Sequence, residues 1–546
     1  MVTFYRNGNI HTMDDSRPLA DALVVEDEIF AYVGTEEGAL EFLKNGNRNY
    51  EVVDLNKNLV LPGFNDSHMH FVNYAKSKEK VNLTGAKSIS EIRELIREKT
   101  SAMKLSGTSW LEGIGWNHDY FTDEKRFPNK FDLDDITGEI PTLITRACFH
   151  VGVLNSAGLK AFGLNKETAR QQYGNQVDFL PDGELSGIVK ENLLGDVKSL
   201  ISSSDKSDLK EIIKTAQYVA FAQGLTSVQS DDIGYSPNNN YDLIFRVFKE
   251  LDDSHDLHLR IGEQCLLKDE SIIKEFFGKK YRYGFGNNQY RVNCVKILTD
   301  GSLGARTAAL RNPYNDDPGT CGIQMFTQDE LNGMVLESHS HGCPVAIHAI
   351  GDKAMEMTLD SIEYAKNTDP SHNPRHGIVH SQITDENLIK RMKELDVLAL
   401  VQPIFIDYDM NIVYDRVGEE LASTSYAWKT MINMGIHVSF GTDCPVESFN
   451  AMNNLYSAVT RKNITGSQKK TYLPNEKLSM DEAIKAYTLE GAYASGEENI
   501  KGTITSGKLA DFILLDRDLF NLNSEEEILN THILETYVGG KKVYSI

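Results

Sequence analysis

Eight short apolar runs, each closing in polar residues, constrain this chain more than any other feature. They read "NLVLPGFNDSHMH", "LTSVQSDD", "LHLRIGEQC", "VNCVKILTDGS", "PVAIHAIGD", "HGIVHSQ", "VLALVQP" and "HVSFGTDCP". Helical patterns such as "SDLKEIIKTAQYVAFAQG" and "DENLIKRMKEL" fall between most of them. Eight strands alternating with helices predict an α/β fold, a (β/α)8 TIM barrel.

The alternation is interrupted once. The first and second runs lie roughly 150 residues apart, far beyond an ordinary βα connection of a few residues. That stretch holds patterned pieces of its own ("IREKTSAMKL", "TLITRACFHVGVLNSAGLKAFG", "GELSGIVKENLL"), which predicts an inserted subdomain over about 75–210, lying across the barrel mouth. At both ends the pattern changes to short β-like runs with turn signals, such as Asn7-Gly8. Residues 1–56 and 495–546 are therefore expected to form one small β-sandwich domain. The barrel is expected over 57–494 of the 546 residues.

Charge narrows the partners. With 56 basic against 79 acidic residues the net charge is -23, which repels nucleic acid and anionic membrane. No apolar run of about 18 residues is present to cross a bilayer. The first residues, "MVTFYRNGNIHTMDD", lack a basic region followed by an apolar one, so a cytoplasmic protein is expected. The six cysteines are scattered without a CxxC and read as free thiols. The expected partner is a small-molecule substrate, and a homodimer is the default assembly.

The strand ends carry the chemistry. His68 and His70 close the first run two residues apart, and residues i and i+2 of a strand share a face, so both imidazoles can reach one metal. Alone an HxH pair is weak. His348, His380 and Asp443 end three further runs, and in a parallel barrel these ends converge on the face where active sites sit. Histidine and aspartate suit zinc or a similar divalent ion. Lys296 lies between apolar neighbours in "VNCVKILTDGS", where a buried ammonium is costly unless paired or neutralised.

The set "LPGFNDSHMH", "VKILTDGSLGARTAAL", "VAIHAIGDKA", "GIVHSQ" and "FGTDCPV" resembles the amidohydrolase superfamily. Within it the chain is similar to the amidohydrolase 3 group, the YtcJ-like enzymes that include N-substituted formamide deformylases. The closing "GKLADFILLD" resembles that family's return strand, and the likeness spans nearly the whole chain. The resemblance implies two divalent metal ions, zinc being the expected metal, held by His68, His70, Lys296, His348, His380 and Asp443. It implies that Lys296 can carry a carbamate and bridge the ions, and that Asp443 is the catalytic proton shuttle. Two positions depart from the family pattern. Val379 stands where many relatives have an acidic residue before the histidine, and Asn65 replaces a commonly apolar one.

Trp116 with Asn117 and His118 in "GIGWNHDY" is a candidate pocket wall, and His150 in "ACFHVGVLNS" resembles a group motif that contacts substrate. Arg306 is placed to hold a carboxylate or carbonyl, and Asp352 to orient a ligand from four residues after His348. His339 and His341 imitate the HxH pair but fall at a helix end, where i and i+2 diverge. His372 and His376 read as loop residues. The expected activity is hydrolysis of a non-peptide carbon–nitrogen bond of amide type by metal-activated water. A deaminase or esterase on the same centre, or a catalytically inactive binding or regulatory homologue, is the alternative.

Overall fold

The computed structural model describes residues 2–102, 110–204, 209–236, 240–465 and 468–546. Its centre is an eight-stranded parallel sheet whose strands are neighbours in chain order: β1 (Phe64–Met69), β2 (Leu225–Ser230), β3 (Arg260–Leu266), β4 (Tyr290–Leu298), β5 (Val345–Ala349), β6 (Gly377–His380), β7 (Leu398–Val401) and β8 (Val438–Phe440). Each of the eight runs read from the sequence therefore contains a barrel strand. Strands such as β5 and β7 are buried at every position, as expected where side chains fill the barrel on one face and meet helices on the other.

The barrel closes between β8 and β1 just beyond the end of β8. The Asp443 N–H donates to the His68 carbonyl (2.8 Å), and the His70 N–H to the Cys444 carbonyl (2.8 Å). Below them the buried Asp66 carboxylate accepts from the Thr442 hydroxyl (2.6 Å) and from the backbone N–H of Thr442 and His68 (3.1 Å each). The seam thus fixes His68, His70 and Asp443 relative to one another.

Helices cover the barrel as the sequence pattern requires. Gln328–Ser340 begins in a reciprocal cap between Thr327 and Glu330, and Glu386–Glu394 begins on the Asp385 side chain. His339 and His341 end the first of these and leave the site alone. His339 Nδ1 lies 2.9 Å from His376 Nε2, and His341 caps the helix. His376 does sit in a connecting segment, but it is fully buried, whereas His372 is exposed beside Asp369.

The two ends of the chain build two further sheets. One orders strands 29–34, 22–26, 2–6 and 51–54; the other orders 541–545, 533–538, 512–515, 59–62, 9–11 and 19–20. Tyr5, Leu23 and Phe30 of the first pack against Ile10, Val60, Phe512 and Tyr537 of the second. The long first run read from the sequence therefore divides. Leu59–Pro62 pairs antiparallel with Phe512–Leu515, and the barrel starts at Phe64. Gly63 joins them because a Cβ there would lie 2.2 Å from Thr226 Oγ1. Arg260, at the start of β3, grips Asp511 of the return strand through two bonds of 2.7 and 2.9 Å, with both side chains buried.

Between β1 and β2 the inserted chain forms a six-stranded sheet in the order 177–179, 185–190, 151–154, 142–146, 111–116 and 81–82. Helices Ile89–Ala102, Lys130–Thr137, Ser156–Phe162 and Glu191–Ser204 flank it, and Leu209–Ala222 leads back into β2. All six cysteines are free thiols.

Candidate metal centre

The centre forms at the C-terminal ends of the barrel strands. Each histidine is held by an acceptor that fixes which nitrogen carries its proton. Gln264, on β3, donates to the Ser67 carbonyl (3.0 Å), so its amide oxygen faces His68 Nδ1 at 2.6 Å. Gln402, just after β7, donates to the Leu400 carbonyl (3.2 Å), and its oxygen faces His380 Nδ1 at 2.7 Å. His70 Nδ1 lies 3.1 Å from the Asp231 carbonyl. His348 Nε2 faces the Gly301 carbonyl and Asp300 Oδ1, both at 3.2 Å. Each ring is thereby oriented, with its other nitrogen turned inward.

What those nitrogens meet decides the chemistry. Asp443 Oδ1 is 3.2 Å from His68 Nε2 and 3.0 Å from His70 Nε2, yet this buried oxygen accepts no hydrogen bond. The three atoms form a compact N, N, O set. His380 Nε2 faces His348 Nδ1 at 2.9 Å, and both are lone-pair atoms once the other nitrogen of each ring donates. Lone pairs held this close repel unless a cation lies between them. The donors of this chain therefore fit a divalent ion between His68, His70 and Asp443, and a second between His348 and His380.

Lys296 is fully buried, with Nζ 3.2 Å from His68 Nε2, and forms no ion pair among the described residues. Burial pushes its amine down to about 8 against the opposing charges of Asp231 and Asp443. Burial also pushes His68 down to about 3, assisted by the Lys296 charge, and holds His348 and His380 below the usual imidazole range. Neutral imidazole is the form that ligates. For Asp443 burial favours the neutral acid, but the close imidazoles of His68, His70 and His380 outweigh it and keep the carboxyl well below its ordinary value. His380 (φ 78°) and Asp443 (φ 57°) adopt left-handed backbone that non-glycine residues rarely take, a strain that gathers at functional sites.

A cavity of about 330 Å3 opens above these residues. The ends of β3 and β4 give it Leu266 and Leu298, the connection after β4 gives it Phe326, and the insert gives it His150, Glu191 and Lys198. His150 lines this wall. Its Nδ1 lies 2.7 Å from Glu191 Oε2, its ring 5.1 Å from that of His348, and the Glu191 charge outweighs burial to raise the imidazole to about 9.

Three other candidates lie outside the cavity wall. Trp116 is fully buried in the insert's own core, edge-on to Phe127 at 5.7 Å, because its strand turns that face inward. Arg306 is occupied by Asp316 at 2.8 Å. Asp352 opens helix Asp352–Thr368 and accepts from the Arg311 N–H at 3.0 Å. Asn117 accepts from Arg146, and His118 packs on Phe127. Val379 leaves no gap, since it packs with Cys294, Ala346, Leu398 and Leu400, and Gln402 supports His380 instead. Gln264, Gln402, Asp300, Asp231 and Glu191 went unread in the sequence. The first four stand near strand ends, but nothing local in the sequence marks which histidine each one meets.

The chain matches a model of the amidohydrolase family over residues 51–544. It is 30% identical over 553 residues to a putative amidohydrolase, YtcJ, of Bacillus subtilis strain 168, an alignment covering 100% of this chain and 99% of that one. It is 23% identical over 549 residues to an N-substituted formamide deformylase of Arthrobacter pascens, covering 98% and 96% of the two chains. A solved structure of an uncharacterized metal-dependent hydrolase from Pyrococcus horikoshii OT3 superposes with a TM-score of 0.76 at 29% identity, covering 96% of this chain and 99% of that one. With these likenesses running through the barrel, the insert and the terminal sheets alike, the chain belongs to the amidohydrolase family.

Proposed function

We propose that the chain is a metal-dependent hydrolase that cleaves a non-peptide carbon–nitrogen bond of amide type. The observation that carries this reading is the convergence of His68 Nε2 and His70 Nε2 on the unsatisfied Asp443 Oδ1. His68, His70 and Asp443 would hold one divalent ion and His348 and His380 a second, zinc being the expected metal, with Lys296 carboxylated by carbon dioxide as the bridge. Carboxylation of the ammonium releases two protons and turns a buried cation with no ion pair among the described residues into an anionic ligand. When bound, the metal supplies Lewis acidity, acidifying a water and polarising the scissile carbonyl.

The rest falls to the chain's own side chains. Asp443, held ionised, accepts the proton of the attacking water on its carboxylate and returns it to the leaving nitrogen. His150, oriented by Glu191, is placed to donate a hydrogen bond to substrate across the cavity from His348. The insert supplies one wall of the cavity. The relative named an N-substituted formamide deformylase supports testing formamides first.

The test joins metal analysis of the purified protein to a screen of N-formyl and N-acyl amides, esters and cyclic amides. Asp443→Asn is expected to abolish turnover while most of the metal stays bound. Full activity in that variant, or a protein that takes up no stoichiometric metal, refutes the reading.

A further inference from the structure

The cavity wall supplied by the insert holds one cation with no carboxylate of its own. Lys198, on helix Glu191–Ser204, lines the cavity; its Nζ donates to the Phe149 carbonyl (3.1 Å) and lies 5.1 Å from the centre of that ring. The charges around it are already matched. Lys80 holds Glu112 at 2.9 Å, His150 holds Glu191 at 2.7 Å, and Lys268 holds Asp196 at 3.4 Å. Among the described residues no carboxylate comes within 4.0 Å of Lys198.

An ammonium has three donors, and a neutral carbonyl occupies one. Phe149, which supplies that carbonyl and also lines the cavity, is held at φ 60°, and Glu191, at the start of the lysine's helix, at φ 47°. Both lie outside the backbone region that bulky residues favour, as residues that shape a binding wall often do. In a chain whose net charge is -23, an unmatched cation on a cavity wall runs against the general charge.

We propose that Lys198 is an anion-recognising residue, and that the substrate carries a carboxylate in addition to its scissile amide, with an apolar body against Leu266, Leu298 and Phe326. The proposal rests on the cavity being the active site. Burial pushes the Lys198 amine down to about 7, with the Lys80 charge adding to the effect; a bound carboxylate offsets both and restores the full ammonium. The charge-assisted bond then formed is strong enough to select for anionic substrates.

Calorimetric titration with phenylpropionate and its neutral match, phenylpropanol, tests this on zinc-loaded and on chelator-treated enzyme. The wild type is expected to bind the carboxylate roughly tenfold to a hundredfold tighter than the alcohol in both forms. Lys198→Met is expected to lose that preference and Lys198→Arg to keep most of it; Lys198→Gln replaces the methionine variant if the latter does not fold. Equal affinity or no binding in the wild type overturns the proposal. So does a preference unchanged in Lys198→Met, or one that vanishes on chelation and so belongs to the metal. The chelated arm keeps the result readable even if the hydrolase reading fails.

Discussion

At Gly301 the barrel backbone comes close against the insert's Glu191, and Gly301→Ala tests whether that contact governs activity. A methyl group there would lie 2.1 Å from Thr307 Oγ1, 2.2 Å from Glu191 Oε1 and 2.6 Å from Thr307 Cβ. Neither side chain is free to retreat. Thr307 Oγ1 accepts from the Ser302 N–H at 2.9 Å, and Glu191 holds His150 at 2.7 Å. Relief needs a displacement of about 1 Å to reach ordinary contact. Overpacking of this kind costs about 1–3 kcal/mol, and loss of the Ser302 bond adds about 1 kcal/mol. Because His150 moves with Glu191, a shift of that size is expected to lower kcat/KM by roughly a hundredfold. Thermal unfolding followed by calorimetry, with kcat/KM on the best substrate from the amide screen, measures both effects. In a Glu191→Ala background the added methyl is expected to cost less stability, since one of its two clashes is gone. A Gly301→Ala protein with wild-type melting temperature and wild-type kcat/KM refutes the argument.

Three further outcomes are expected. Asp511→Ala strands the buried Arg260 guanidinium and is expected to destabilise by about 3–5 kcal/mol; the double variant Arg260→Met/Asp511→Leu should recover most of this in a denaturant titration, and no recovery would count against charge stranding as the cause. Gln402→Leu removes the acceptor that orients His380 and is expected to weaken metal affinity about tenfold to a hundredfold by competition with a chelator; unchanged affinity would show the amide to be dispensable. His376 is held well below its ordinary 6.5 by burial, with the His339 and Lys366 charges adding to it, so the unfolded chain takes up a proton there that the folded protein refuses. Stability from this residue is therefore full above pH 6.5 and falls below it, by about 1.4 kcal/mol per pH unit; His376→Asn should flatten that slope, and an unaltered slope would assign the loss to other groups.

The strands were legible because their two signals coincide: an apolar run long enough for one strand, and a polar residue where it emerges at the mouth. His68, His70, His348, His380 and Asp443 all lie at or just beyond such ends, so these five of the proposed ligands followed from position. The supporting shell did not, because its partners are joined through space. Gln264 meets His68 across 196 residues, and no local pattern marks that pairing. Glu191 resembles any first-turn carboxylate until the fold sets it against His150 and Gly301. Trp116 misled for a related reason. A tryptophan beside a histidine suggests a wall, but the insert has a core of its own, and its largest side chain fills that core first.

The insert enters the chain directly after His68 and His70, yet contributes none of the proposed ligands. On the proposed function the metal chemistry belongs to the barrel, and the insert adds His150 and Lys198 to a cavity that the barrel's Leu266, Leu298 and Phe326 also line. On that reading, substitutions along 148–198 can retune which molecules enter while the proposed ligands beneath stay fixed. A lineage built this way diversifies by revising its cover, which makes the sequence of that cover, more than the ligand motifs, the informative place to compare members that act on different molecules.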